Sequence, residues 1–175
     1  VEETTFGTPG IKLPNGDFNI VIPENTTSTI SSTKKVSDNC QAITSPGGSV
    51  TISGGGKLNL NAYSEAIYVY HDDDGSLTIK DCTVNLYSIN DDGAYVEYNI
   101  TLNHAKVAYS CNAEIDSDDG PYANGLNSTD GNVVISDSTY TFGNSFYGVS
   151  AENQGAVIIR NSTVTGENCW SGFNV

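Results

Sequence analysis

The chain contains one short residue pattern several times, and this repetition constrains its fold more than any other feature. Residues 75–86 read Gly-Ser-Leu-Thr-Ile-Lys-Asp-Cys-Thr-Val-Asn-Leu, and residues 131–142 and 155–165 have the same skeleton. Residues 48–60 contain it more loosely. Each copy has a turn glycine, an alternating strand, a polar corner and a second alternating strand. Apolar residues at every second position, separated by Gly, Asn and Asp, indicate short strands and turns.

The spacing between the copies predicts that they stack. One period separates Ile52 from Ile79, and two periods separate Ile79 from Ile135, with Val107 at the halfway point. A second apolar anchor precedes each copy; these anchors are Ala42-Ile43, Ala66-Ile67, Gly125-Leu126, Gly148-Val149 and Gly172-Phe173. A constant period in the range of about 20–50 residues is typical of stacked repeat proteins. Three strands per period predict a right-handed parallel β-helix, and a β-sandwich with irregular hairpins is the alternative.

The repeat divides a single domain into two segments. Residues 1–40 do not follow it and are predicted to form an irregular N-terminal cap, which solenoids need to cover the end of the core. Residues 41–175 are predicted to form about five coils of three short strands each. The last anchor, Gly172-Phe173, begins a coil that does not complete, so we expect the chain to be part of a longer protein. The coil at residues 94–124 matches the pattern least. Its inward residues are predicted to be Val96, Val107, Ala113 and Ile115.

The charge of the chain argues against two classes of partner. Its 21 acidic and 7 basic residues give a formal net charge of -14. Nucleic acids and anionic membranes bind clustered Lys and Arg, so neither is an expected partner, whereas cations are. No run of apolar residues is long enough to cross a bilayer. We expect a monomer.

The four cysteines do not decide whether the protein belongs to an oxidising or a reducing compartment. Cys82 and Cys111 occupy equivalent places in successive coils of the repeat alignment, and both are predicted to point inward. Stacked coils lie ~4.8 Å apart, a separation that a disulfide tolerates. A bridge between these two cysteines and a ladder of buried thiols are both compatible with the sequence.

Three Asp-Asp-Gly triplets occur, at residues 73–75, 91–93 and 118–120. The second and third precede anchor strands and are one period apart, and Glu65 occupies that bend one coil earlier. Stacking therefore predicts a column of carboxylates ~4.8 Å apart. Its members are Glu65, Asp91, Asp92, Asp116, Asp118 and Asp119. Calcium binds several oxygen ligands in flexible geometry and would remove the repulsion between them. The alternative is that Asp-Gly only forms tight turns.

Outward-facing aromatic residues are predicted next to this column. If Ile67 and Val69 point inward, Tyr68 between them points outward. The predicted ligand-binding residues are Tyr68, Tyr70, Tyr95, Glu97, Tyr147 and Trp170. An exposed aromatic ring presents a flat apolar face with a polar edge, which suits a sugar ring. The alternative is the general preference of Tyr for sheets.

The sequence gives little support for catalysis, and we favour a non-enzymatic function. Elimination from an acidic sugar needs a basic residue beside the bound metal. Lys80 and Arg160 share one register, but at the corner far from the acidic column. Hydrolysis needs two separated carboxylates. The candidates are Asp73 and Asp74 with His71, although consecutive aspartates more often form a solvated turn.

The coil pattern resembles the pectate-lyase-like superfamily of right-handed β-helices. Its elements are an Ala/Gly-Ile/Val anchor, then Gly-x-Leu/Val-x-Ile, then x-Asn/Asp-Ser/Cys-Thr-Val. More narrowly, it is similar to secreted carbohydrate-binding and adhesin-like β-helix proteins of clostridia and other gut bacteria. The resemblance covers roughly residues 41–175. The Asn-Thr-Asp, Gly-His-Gly and Arg-x-Lys signatures of polygalacturonases do not occur.

This resemblance implies a location outside the cell or on its surface. It also implies binding of plant cell-wall polysaccharide, including acidic pectic sugars, with calcium at the coil edges. The positions that would match are Glu65, Asp91, Asp92, Asp118 and Asp119. We therefore expect a non-catalytic module that binds acidic or cellulosic polysaccharide with calcium assistance. A structural or adhesin stalk is one alternative, and a polysaccharide lyase or glycoside hydrolase is another.

Overall fold

The computed structural model of the chain describes residues 10–33, 40–70, 75–112 and 123–175, and every regular element in these ranges is a β-strand. The strands are β1 (Ile11–Lys12), β2 (Phe18–Val21), β3 (Thr27–Ser32), β4 (Ile43–Ser45), β5 (Val50–Ser53), β6 (Lys57–Ala62), β7 (Ile67–Val69), β8 (Leu77–Lys80), β9 (Thr83–Ser88), β10 (Ala94–Val96), β11 (Ile100–Asn103), β12 (Lys106–Cys111), β13 (Leu126–Ser128), β14 (Val133–Ser136), β15 (Thr139–Ala151), β16 (Val157–Arg160) and β17 (Thr163–Asn174). No helix among the described residues is long and apolar enough to span a membrane.

The strands pair in parallel and stack into a β-solenoid of about five turns, as the repeat predicts. We name its three faces by their strands. The first face contains β1, β4, β7, β10 and β13, the second contains β2, β5, β8, β11, β14 and β16, and the third contains β3, β6, β9 and β12. Strands β15 and β17 are long because each continues from the third face to the first.

The core is formed by inward side chains that repeat from coil to coil. On the second face, Ile52, Ile79, Leu102 and Ile135 lie in one register, and each is fully buried. Burial of such a side chain contributes about 1.5–3 kcal/mol relative to leaving it exposed. Because every coil adds the same contact, the hydrophobic core extends along the solenoid axis.

The register of the middle coils differs from the prediction. Leu102, and not Val107, lies between Ile79 and Ile135. Val107 is buried as predicted, but on the third face, where it pairs with Val84 and Tyr140. The prediction was wrong because it divided the interval equally, whereas Leu102 is closer in sequence to Ile79 than to Ile135. Val96 is buried as predicted, and Ala113 and Ile115 lie outside the described residues.

The anchor positions agree with the structure. Ile43, Ile67, Leu126, Val149 and Phe173 all lie in one register on the first face, together with Ala94 of the middle coil. This ladder positions the bends that precede the first face, because each bend ends at an anchor.

The repeat begins earlier than the sequence pattern indicates. Strands β1, β2 and β3 pair in parallel with β4, β5 and β6. The described part of the segment that the sequence assigns to a cap therefore continues all three faces of the solenoid. Its strands are difficult to recognise because Ser and Thr fill most of β3.

Cys82 and Cys111 do not occupy equivalent positions in successive coils, contrary to the prediction. Cys111 pairs with Ser88 at the end of the third face, whereas Cys82 lies at the corner before β9. None of the four cysteines forms a disulfide, and each carries a thiol. Burial raises the pKa of the Cys82 thiol to about 11. The thiols of Cys82 and Cys111 donate instead to the carbonyls of Ile52 and Ile89.

Candidate functional site

A ladder of polar residues precedes the first face, two positions before each anchor. The register of the anchors places Gln41, Glu65, Asp92, Asn124 and Tyr147 at equivalent positions in successive coils. Backbone hydrogen bonds join these coils, from Ala66 to the Asp92 carbonyl at 3.1 Å and from Gly93 to the Asn124 carbonyl at 2.8 Å. Stacking thus aligns Glu65 with Asp92. The equivalent position in the following coil belongs to Asn124, and the predicted ligands Asp116, Asp118 and Asp119 lie outside the described residues.

The side chain of Asp92 is almost fully buried, with 3% of its surface exposed. Its Oδ1 accepts a hydrogen bond from the Asn124 backbone N–H at 2.5 Å, and its Oδ2 accepts one from Asn127 Nδ2 at 2.9 Å. Burial raises the pKa of Asp92 well above its usual range, and these hydrogen bonds oppose that shift. The nearby charges of Asp91 and Glu65 raise the pKa of Asp92 further.

We name Glu65, Asp91 and Asp92 the acidic corner, because their carboxylates interact electrostatically. Burial raises the pKa of Glu65, and the negative charge of Asp91 raises it further. Gln41 Nε2 donates to Glu65 Oε2 at 3.0 Å and partly offsets this shift. Burial also raises the pKa of Asp91, whose Oδ1 accepts a hydrogen bond from the Asp92 backbone N–H at 2.9 Å. Each carboxyl group therefore retains its proton to a higher pH than an exposed one does.

The described residues contain no group of three or more His, Cys, Asp or Glu side chains arranged to hold a metal ion. One polar atom beside the acidic corner is nevertheless without a partner. Asn127 is 6% exposed and donates to Asp92, while its Oδ1 is buried without a hydrogen bond. An amide oxygen is a ligand that calcium accepts. Asn127 Oδ1 is thus a buried acceptor without a hydrogen-bond partner next to the Asp92 side chain.

A stacked cluster of tyrosines lies on the outer side of β7 and β10, and we name it the tyrosine platform (Tyr68, Tyr70 and Tyr95). The ring centroids of Tyr68 and Tyr95 are 5.3 Å apart, and the two ring planes are inclined by 23°. The Tyr68 and Tyr70 rings are 6.1 Å apart at 10°. Tyr68 and Tyr95 are half-buried, and Tyr70 is 45% exposed. The platform arises because parallel pairing places Tyr68 directly beside Tyr95.

The tyrosine platform lies close enough to the acidic corner for the charge of Glu65 to act on Tyr68. Burial raises the pKa of Tyr68 to about 12, and the charge of Glu65 contributes to the shift. Burial also raises the pKa of Tyr95, and the partly exposed carboxylate of Glu97 raises the pKa of both Tyr68 and Tyr95 further. Together the rings and carboxylates form a surface that is apolar at its centre and negatively charged beside it.

The structure places Tyr147 and Trp170 apart from the tyrosine platform. Tyr147 follows Asn124 in the polar ladder. Trp170 is 63% exposed and stacks on Phe146, with ring centroids 5.7 Å apart at 17°. Phe146 also packs edge to face against Tyr147, with ring centroids 4.6 Å apart. Sequence reasoning missed Phe146, although it occupies the position equivalent to Trp170 in the preceding coil.

The candidate catalytic residues fall in a segment that the structure does not describe. His71, Asp73 and Asp74 lie outside the described residues. Lys80 and Arg160 share a register on the second face, as predicted, with Asn103 and Ser136 between them. This ladder is separate from the acidic corner, which precedes the first face.

Comparison of the chain with protein-family models, with curated proteins and with solved structures gives no match.

Proposed function

We propose that this chain is a non-catalytic, extracellular polysaccharide-binding module for acidic or cellulosic plant cell-wall glycans. The tyrosine platform is the observation that carries the proposal. Its partly exposed rings stack with nearly parallel planes and lie across two adjacent coils. Such a surface suits the C–H face of a pyranose ring, and the tyrosine hydroxyls can hydrogen-bond to sugar hydroxyls.

Calcium would assist the binding of an acidic glycan. The net charge of -14 and the carboxylates of the acidic corner would repel a uronate if no cation were present. In this proposal the acidic corner and the unpartnered Asn127 Oδ1 would supply oxygen ligands for part of a calcium shell. A uronate carboxylate would complete it, so that the metal lies between the protein and the sugar.

The parallel coils are consistent with a β-helix fold, and we propose that the chain is related to the secreted carbohydrate-binding members of the pectate-lyase-like superfamily. The coil geometry and the outward tyrosines support this proposal. Binding without chemistry is the simpler proposal, because the basic residues Lys80 and Arg160 lie on another face.

The decisive experiment measures affinity for oligogalacturonate and for cellohexaose by titration calorimetry, first with calcium and then with chelator. The double variant Tyr68→Ala/Tyr95→Ala should weaken oligogalacturonate binding about tenfold or more, equal to ~1.4 kcal/mol. Tyr98→Ala is the matched control, because Tyr98 is an exposed tyrosine outside the stacked cluster.

The metal requirement is tested in the same experiment. Chelator should abolish oligogalacturonate binding and should weaken cellohexaose binding much less, because only the acidic ligand needs its charge compensated. Oligogalacturonate binding that persists unchanged in chelator would contradict the bridging role. Oligogalacturonate binding that the Tyr68→Ala/Tyr95→Ala variant leaves intact would contradict the site.

A stalk segment of a cell-surface protein is the second candidate function, and the continuous stacking of coils favours it. Parallel pairing links each coil to the next on all three faces. A solenoid of this kind can act as a spacer without binding glycan itself. Absence of retention on every glycan of an array, with and without calcium, would favour the stalk over the binding module.

A further inference from the structure

The outer side of the third face contains a groove that the proposed function does not use. Two cavities form it. One has a volume of about 310 Å³ and lies around Ala108, and the other has a volume of about 410 Å³ and lies around Gly143. Both cavities include Thr141 in their lining, so they are adjacent. Each volume lies in the range of small-molecule binding sites.

The groove exists because small residues interrupt two outward ladders. In one ladder Ala108 lies between Asn85 and Thr141. In the other, Ser110 and Gly143 follow Tyr87. Loss of side-chain volume at neighbouring positions in consecutive coils leaves a depression, whose sides are formed by the longer side chains of the flanking coils.

The groove is lined by groups that match sugar hydroxyls. The hydroxyls of Thr139, Thr141 and Thr165 belong to exposed side chains, and each can donate and accept a hydrogen bond. Tyr109 and Phe142 lie beneath the cavity around Gly143 and are almost fully buried, so the apolar surface of the groove comes from the partly exposed Ala108 and from the threonine methyl groups. A few polar groups around an apolar area are typical of ligand sites.

The charges in the groove favour a neutral ligand. Lys106 lines one cavity and Glu167 lines the other, so the two formal charges cancel. The rest of the chain is strongly acidic, and one lysine does not supply the clustered cations that a polyanion needs. A neutral ligand would enter this groove without the metal that the acidic corner requires.

We propose that the third-face groove is a second, metal-independent binding site for a neutral oligosaccharide. It lies on a different face of the solenoid from the tyrosine platform. The site does not depend on the acidic corner or on the proposed function of the first face. Two sites on one rigid solenoid would allow a polysaccharide chain, or two chains, to be held with greater avidity than either site gives alone.

The test uses a substitution that fills the groove without strain. A Cβ at Gly143 would approach only Glu167 atoms, at 3.6 and 3.7 Å, and the φ angle of Gly143 lies outside the left-handed region. Gly143→Tyr should therefore fold while its ring occupies the cavity. Ala108→Tyr fills the other cavity and serves as a second variant. Thr27→Tyr, on the same face in the first coil, is the matched control.

All three substitutions are made in the Tyr68→Ala/Tyr95→Ala protein, so that the platform does not contribute. Cellohexaose and xylohexaose are titrated in chelator, and thermal unfolding verifies that each variant is folded. At least one ligand should bind the double variant, and Gly143→Tyr or Ala108→Tyr should weaken that binding about tenfold or more, whereas Thr27→Tyr should leave it within about twofold.

Absence of binding by both ligands, or binding that neither groove substitution weakens, would overturn the proposal. A failure of the proposed tyrosine-platform site would give a different result. In that case the wild type and the Tyr68→Ala/Tyr95→Ala variant would bind oligogalacturonate with the same affinity in calcium. The two proposals are thus separated by ligand, by metal dependence and by variant.

Discussion

Replacement of Asp92 by Asn should stabilise the metal-free protein at neutral pH. The carboxylate is 3% exposed, and its nearest charged neighbours are the carboxylates Asp91 and Glu65. Asn has nearly the same shape and removes the charge. Its Oδ1 can still accept from the Asn124 N–H, and its new Nδ2 can donate to Asn127 Oδ1 if the Asn127 amide rotates. The substitution therefore preserves the hydrogen bonds and removes a buried negative charge.

The magnitude follows from the linkage between ionisation and folding. Because burial raises the pKa of Asp92 above its unfolded value, the native state loses stability as pH rises through the native pKa. Each pKa unit is worth 1.36 kcal/mol, so the loss between an unfolded pKa near 3.9 and an assay at pH 7 is at most about 4 kcal/mol. The hydrogen bonds to the charged form offset part of this, and we expect a gain of about 1–4 kcal/mol.

The assay is urea denaturation of the wild type and of Asp92→Asn in chelator at pH 7 and at pH 4. The gain in the free energy of unfolding should be present at pH 7. It should shrink towards pH 4, because the wild-type Asp92 carboxyl then becomes protonated in the unfolded state as well as in the native state. Calcium should stabilise the wild type and should affect Asp92→Asn less, because the variant has lost a ligand. Asp81→Asn is the control, since it makes the same chemical change at an exposed corner and should alter stability by less than about 0.5 kcal/mol. A variant less stable than the wild type at pH 7 in chelator would refute this reasoning.

Three further predictions concern the core. Leu102→Ala should lower the free energy of unfolding by about 2–5 kcal/mol in urea denaturation, because Leu102 is fully buried in the aliphatic ladder; a loss typical of a surface position would contradict the register. Tyr140→Phe should cost about 1–3 kcal/mol in the same assay, since the Tyr140 hydroxyl donates to the buried Gly148 carbonyl at 2.9 Å. Cys82 should react with a thiol reagent at pH 7 about tenfold more slowly than the half-buried Cys169, as followed by mass spectrometry, because burial raises the pKa of Cys82 to about 11. Equal rates at the two thiols would contradict that burial.

The local pattern of the sequence was sufficient for the strands and for the side of the chain that each residue occupies. Alternation along residues 67–70 predicts that Tyr68 points outward, and parallel pairing then places it beside Tyr95. Both conclusions follow from properties of an extended chain, in which successive side chains point to opposite sides and neighbouring strands lie at a fixed distance. The anchors were predictable for the same reason.

Only the tertiary structure decided which residues meet across coils of unequal length. The repeat pattern does not indicate which corner of a coil accommodates extra residues. Dividing the sequence into coils of equal length therefore placed Val107 at the position of Leu102, and it paired Cys82 with Cys111. The partners of Asp92 are 32 and 35 residues away, at Asn124 and Asn127. Their contact depends on the length of every intervening turn, and no local pattern of residues contains that information. The period of the sequence thus determines the solenoid, whereas the register of each coil determines the surroundings of its buried charge.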